Sequence, residues 1–377
     1  MTKQIAELDG LRGWMALWVW LAHVSSLAVL PIDREHGPGW IVMNGEFAVG
    51  VFVILSGFVI SMTLNDAGSQ AKRVFYLRRA FRLFPAYLIC LAISAFVLLE
   101  PSIRTLETLP WPSPHTAGRL AYLNDSRDAF WTHLALHAPL LHGLVPQSLL
   151  RSTSYAFMGQ AWSLTLEWQY YLIAPFVFVC MSWFEWTPLR QAALLLVLGL
   201  LARRFTQSSM LPSNMYLFTV GYFSFKLYQR RETRRLTNLG FITHAAIWGL
   251  AAALVNDRWI SLLIWAPVLY GICHPSMPLP VLRVKQFLSL RLSTRLGAIS
   301  YSFYCSHMIA VFGCAYLLLV VLGIRDKLIY GAALVITSLM ATLLISFLLH
   351  ELAEKPCIAL GRRLGRALEA RQVEVSA

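Results

Sequence analysis

The sequence predicts an all-α polytopic membrane helix bundle of about ten transmembrane helices, with one extra re-entrant or interfacial segment. Three observations carry that prediction. Hydrophobic residues make up 57% of the 377 positions and charged residues 14%, whereas a soluble domain is nearer one quarter charged. The mean hydropathy is +0.58. Apolar runs long enough to cross a bilayer recur along the whole chain. They are continuous rather than alternating, which selects helices over the strands of a barrel.

The expected spans are approximately 11–30, 44–64, 83–99, 161–182, 188–202, 209–227, 241–255, 259–274, 297–322 and 327–349. The first lacks a small-residue cleavage signature and further spans follow, so it reads as an uncleaved helix. Four basic clusters lie between the runs: Lys72, Arg73, Arg78, Arg79 and Arg82; Lys226, Arg230, Arg231, Arg234 and Arg235; Arg283, Lys285, Arg291 and Arg295; and Arg362, Arg363 and Arg366. With these spans and a cytoplasmic N-terminus, all four clusters face the cytoplasm. Counting 129–145 as a further span would move the second cluster outside. That segment carries His133, His137 and His142, so it reads as re-entrant or interfacial; Arg203 and Arg204 then fall outside. The segment 100–160 becomes the main extracytoplasmic loop, and its Pro110–Pro114 stretch excludes a helix there.

Residues 351–377 read as a cytoplasmic tail or short amphipathic helix, and 1–377 as a single membrane domain. The net charge of +13 follows from the positive-inside pattern and calls for no nucleic-acid partner. The six cysteines sit in or beside apolar segments without a CxxC pair, as buried thiols do, so neither disulfides nor zinc are implied. There is no internal repeat, heptad pattern or Gly-rich phosphate loop.

Ionisable residues inside these spans need an explanation, because each costs about 2.5–3.5 kcal/mol at mid-bilayer. Arg12 and His23 are eleven residues apart, close to three whole turns, so they share one helix face about 16 Å apart along the axis. One would stand at the inner interface and the other near mid-membrane. The simpler alternative is an arginine that snorkels or pairs with Asp9, and a histidine bonded to a neighbouring helix. Arg79 and Arg82, three apart, share a face at the mouth of the third span and suit phosphate oxygens; positive-inside topology explains them as well. Glu167 lies just inside the fourth span among aromatics and needs a partner or water. Ser300, Tyr301, Ser302, Tyr304, Ser306 and His307 make a polar helix start, which reads first as a packing seam.

These stretches together resemble acyltransferase family 3, the bacterial integral-membrane O-acyltransferases. "IAELDGLRGWMALWVWLAHV" resembles the family's first helix, with its Arg-x10-His pattern at Arg12 and His23. "VFVILSGFVIS" resembles its second helix, "RRAFRLFPAY" its RxxR motif at Arg79 and Arg82, and "WSLTLEWQYYL" the stretch that places an acid at Glu167. "LGAISYSFYCSH" and "ELAEKPCIALGRRL" resemble the closing motifs, the latter through Glu354 and Pro356. The matches run in order from residue 5 to about 364. Departures include Ala48 and Gly50 before the second helix core, Cys305 for a usual leucine and Trp168 for a usual glutamate. Many relatives carry a fused hydrolase-like domain; none is visible here, which implies that the membrane domain suffices or works with separate partners.

The resemblance implies transfer of an acyl group, commonly acetyl, from cytosolic acyl-CoA to a hydroxyl of a carbohydrate, a lipid-linked glycan or another envelope acceptor. No metal is implied. The expected setting is the bacterial inner membrane, with both termini cytoplasmic and lipids as neighbours. Arg79 and Arg82, assisted by Arg12, would hold the CoA phosphates. His23 would be the general base, or an acyl-histidine relay. Glu167 would orient the base or bind the acceptor. A carrier or flippase without catalysis is the competing class, and a scaffold protein the next.

Overall fold

A computed structural model describes residues 5–30, 32, 37–67, 72–232, 238–255, 259–274 and 277–376. Arg234 and Arg235 of the second basic cluster lie outside the described residues, as do the side chains of Lys72 and Arg231. In chain order the helices are α1 (Ala6–Leu27), α2 (Gly37–Met43), α3 (Gly45–Ala67), α4 (Lys72–Ala92), α5 (Leu99–Thr108), α6 (Pro114–Asp128), α7 (Phe130–His137), α8 (Trp162–Ser182), α9 (Pro188–Ala202), α10 (Met215–Glu232), α11 (Asn238–Val255), α12 (Trp259–Cys273), α13 (Leu279–Leu288), α14 (Arg291–Ala298), α15 (Ser300–Tyr316), α16 (Lys327–Leu349) and α17 (Lys355–Ser376). No strand occurs among the described residues.

A helix stands on every expected span. By length and composition, five helical segments among the described residues can cross a membrane, at Gly45–Asp66, Arg73–Val97, Gly159–Ser182, Ser300–Val321 and Lys327–Ala370. Shorter apolar helices occupy Pro188–Ala202, Gly240–Leu250 and Trp259–Cys273. The chain is an all-α membrane protein.

Three boundaries differ from expectation. The third span begins at Lys72 rather than near 83, because arginine and lysine are good helix formers while hydropathy registers only the apolar half. The segment 100–160 is largely helical. Its proline-rich stretch interrupts the helix only over 109–113, and Pro114 opens α6 at its first turn. Ser113 caps that turn by accepting from the Thr116 N–H at 3.2 Å, while the Thr116 hydroxyl accepts from the Ser113 N–H at 2.7 Å. This is a reciprocal capping box, with proline where its missing N–H is harmless. Finally, the expected tail is a long helix, joined to α16 through the π-helical turn His350–Glu354.

The chain forms two compact units. The first comprises 1–15, 46–70 and 166–298; the second comprises 16–45, 71–165 and 299–377. The division passes through α1 and α8.

In the first unit α3 and α10 meet at glycines. A Cβ on Gly221 would come within 2.8 Å of the Gly57 Cα and 2.7 Å of the Phe58 N, so only glycine permits this approach. Phe58 then packs edge-on against Phe225 and Trp265. The Trp265 indole donates to Ser224 Oγ at 2.9 Å, and Ser261 of α12 donates to the Phe47 carbonyl at 2.8 Å.

The second unit is centred on α15, most of which is buried. Against it α16 presents Tyr330, Leu334, Ser338, Thr342 and Ser346, all buried, at the four-residue spacing of one helix face. Ile336, Met340, Leu344 and Phe347 are exposed on the same helix. Small polar residues inside and large apolar residues outside invert the soluble pattern and suit lipid. On the other flank Gly361 of α17 lies against Phe81 of α4, and Arg78 pairs with Glu369 at 3.1 Å.

The three histidines of 129–145 form a core of this unit. His133, His137 and His142 are fully buried, and α7 is only eight residues long, too short to span. The rings of His137 and His142 stack with centroids 3.7 Å apart and planes 2° from parallel. Each donates from Nε2 to a carbonyl, His137 to Thr153 at 3.0 Å and His142 to Ala161 at 3.3 Å. Burial lowers their basicity: His142 falls to about 3 and His137 lies well below the ordinary histidine value. Burial likewise lowers His133, against an opposing pull from Asp125.

Two outcomes follow from these contacts. Replacing Gly221 by leucine overpacks the α3–α10 crossing and removes about 1–3 kcal/mol of stability; the unfolding midpoint in detergent should drop clearly, and an unchanged midpoint would refute the close approach. For the histidine core, the unfolded chain binds protons below about pH 6.5 that folded His142 refuses until about 3. Stability therefore falls as pH drops through that window. His142→Gln should flatten the fall of the midpoint between pH 7 and 4; a slope identical to the wild type would show that the ring is not held neutral.

Candidate active site

His23 lies half-buried in the second unit, near the end of α1. Arg119 reaches it from α6, the helix that Ser113 starts. One guanidinium nitrogen is 2.9 Å from His23 Nδ1 and the other 3.5 Å from the His23 carbonyl. A guanidinium has only donors, so Nδ1 accepts. The proton of the neutral His23 ring is therefore on Nε2.

The His307 ring from α15 stacks on His23, with centroids 5.3 Å apart and planes 26° from parallel. His307 is fully buried. Its Nδ1 lies 2.8 Å from the Tyr304 carbonyl, which can only accept. The neutral His307 proton is therefore on Nδ1, leaving a lone pair on Nε2. That atom is buried without a hydrogen-bond partner.

Several contacts fix the α15 end of this pair. The Tyr304 hydroxyl donates to the Gln160 carbonyl at 3.0 Å and lies 2.6 Å from Ser163 Oγ. Gln160 Nε2 donates to the Cys305 carbonyl at 3.0 Å. Tyr301 donates to the Leu83 carbonyl of α4. Buried Glu354 accepts from Ser302 at 2.7 Å and lies 3.0 Å from His350 Nδ1. The polar start of α15 is thus a set of anchors, with His307 as the member that points to chemistry.

The other expected residues divide between the units. Arg79 and Arg82 sit half-buried on α4 in the second, with the Arg79 guanidinium 5.6 Å from the Phe75 ring centroid. Arg12 and Glu167 belong to the first. Arg12 lies 3.9 Å from Asp9, the i,i+3 pairing open to it from sequence. Glu167 Oε1 accepts from Ser56 at 2.9 Å and also from Tyr171. Sequence reasoning passed over Arg119 altogether and placed His307 in a packing seam. The available signal for Arg119 was a lone arginine shortly after a Ser-Pro helix start.

The family profile described as an acyltransferase domain, that of the acyltransferase-3 family, matches residues 5–351. A relative named Acyltransferase MdmB, from Streptomyces mycarofaciens, is 27% identical over 177 residues. That match covers 46% of this chain and 38% of the relative. No solved structure matches the chain.

Glu167 yields a prediction of its own. Glutamine keeps an oxygen for both hydroxyl donors, whereas alanine leaves the Ser56 and Tyr171 hydroxyls without this acceptor. Glu167→Ala should lose about 1–3 kcal/mol of stability and Glu167→Gln far less, read by thermal unfolding. Equal losses in the two variants would show that the acceptor contacts do not matter.

Proposed function

The chain belongs to the acyltransferase-3 family, and from that premise we propose that it moves an acyl group, acetyl in the simplest case, from cytosolic acyl-CoA to a hydroxyl of a carbohydrate or lipid-linked glycan. The observation that supports this reading is the stacked His23–His307 pair beside Arg119. Ionisable groups in a membrane bundle mark functional sites, and attack of a hydroxyl on a thioester needs proton transfer and charge stabilisation at one place.

Arg79 and Arg82 suit the donor's pyrophosphate and ribose phosphate, since guanidinium groups bind phosphate oxygens with paired donors. Arg12 assists them in this reading. Glu167 holds or orients the acceptor through its carboxylate. The setting is the bacterial inner membrane with both termini in the cytoplasm, supported by the four basic clusters between the spans. The relative is called an acyltransferase with no substrate in its name, so the acceptor class rests on what the family resemblance implies.

The test is acyl-CoA-dependent labelling of acceptor in membranes. His23→Ala should lower labelling by about 10²–10⁴-fold, and the double change Arg79→Ala with Arg82→Ala should raise KM for acyl-CoA. Envelope glycans from cells lacking the gene should lose one ester signal by mass spectrometry. Unchanged labelling in His23→Ala, or transport of substrate without ester formation, would sink the proposal in favour of a carrier.

A further inference from the structure

Two neutral histidines that face each other carry their protons on different nitrogens, and each choice has a visible cause. Arg119 donates to Nδ1 of His23, so His23 presents Nε2–H. The Tyr304 carbonyl takes the Nδ1 proton of His307, so His307 presents a bare Nε2. A lone pair bonded to a cation is a poor proton acceptor, because protonation would set two positive charges in contact. The lone pair of His307 is not bonded to that cation, although Arg119 lies near enough to act on the ring electrostatically, and its Nε2 is buried without a partner.

An orphaned buried acceptor costs about 1–3 kcal/mol, so a group that completes this nitrogen during function would recover that cost. Orphan ring nitrogens also occur at His133, His137, His142, His244 and His274, so the orphan atom alone does not single out His307. His307 differs from them in stacking on a histidine held by an arginine.

We propose that the two rings divide the labour of acyl transfer, with the base role expected of His23 passing to its neighbour: His307 Nε2 accepts the proton of the attacking hydroxyl, and His23, fixed by Arg119, donates Nε2–H to the oxygen on which negative charge develops. This rests on the acyl-transfer reading above. The acceptor oxygen attacks the thioester carbonyl carbon and forms the C–O bond while its proton moves to His307 Nε2. The carbonyl electron pair shifts to oxygen and is held by the His23 N–H. It returns as the C–S bond breaks, and the departing thiolate takes the proton from His307. The products are the ester and free CoA thiol, and both rings end neutral as they began. Arg119 is a positioning residue in this scheme, since it acts through His23.

The experiment uses the full chain in lipid nanodiscs. Nitrogen-15 NMR of labelled histidine distinguishes the tautomers, and His23→Gln and His307→Gln assign the signals. The expected result is Nε2–H for His23 and Nδ1–H for His307. His307→Gln should lower turnover with acetyl-CoA by about 10²–10⁴-fold while CoA itself still binds, which reports an intact fold. Arg119→Met should shift the His23 tautomer and lower kcat with little change in KM for acetyl-CoA, and Arg119→Lys should restore part of both. An Nε2–H tautomer at His307, or full turnover in His307→Gln, would overturn the proposal and leave that nitrogen as a water site. If the wild type transfers nothing from acetyl-CoA, the acyl-transfer reading falls with the step proposed here, while the NMR still decides the tautomers.

Discussion

The contact between the Arg119 guanidinium and His23 Nδ1 constrains the rest of the second unit. It joins a permanent cation to a neutral ring, and it holds only if both helices are placed to bring the two groups within hydrogen-bond distance. On one side that placement depends on the capping box of Ser113 and Thr116, which sets where α6 begins and therefore where Arg119 emerges. On the other it depends on α15, whose ring at His307 stacks on His23. The helix α15 is pinned in turn by Gln160, Ser163 and Glu354 through the hydroxyls of Tyr304 and Ser302 and the carbonyl of Cys305. In a bilayer these groups have no water to fall back on, so each anchor must be met within the protein.

This explains why the motifs most visible in the sequence do not all hold reacting groups. Ser302, Tyr304, Ser163 and Glu354 fall in recognisable stretches, yet their contacts include one another, backbone and the rings of His350 and His307. Their work is to hold the histidine pair. His23, Arg79, Arg82 and Glu167 were legible because an ionisable side chain stands out in an apolar run. The helices were legible for the same reason: hydropathy and helical period both follow from the need to bury backbone polar groups.

Arg119 was not legible, and the cause is physical. It lies in a polar, proline-rich segment where an arginine is ordinary, and its partner is 96 residues earlier in the chain. No local period connects the two. The same segment hid its helices, because prolines at 110, 112 and 114 read as a long break when one of them in fact starts a helix. The reach of α4 back to Lys72 was hidden by the opposite limit, since charged residues can be good helix formers without being apolar.

Two stacked histidine pairs in one unit show how partners rather than residue type decide chemistry. His137 and His142 lie parallel, both donate from Nε2 to carbonyls, and burial holds both neutral. With the same tautomer on each ring, no direction for proton movement is built in; the pair is a packed core that also pays out its hydrogen bonds to loop carbonyls. His23 and His307 are tilted, and one is bonded to a cation while the other is bonded to a carbonyl. Their tautomers are opposite, so the pair has a donor end and an acceptor end. That polarity is what a reaction moving one proton while charge develops on a neighbouring atom requires. It arises from a cation set beside one ring and a carbonyl beside the other, which the cap of α6 and the anchors of α15 hold in place.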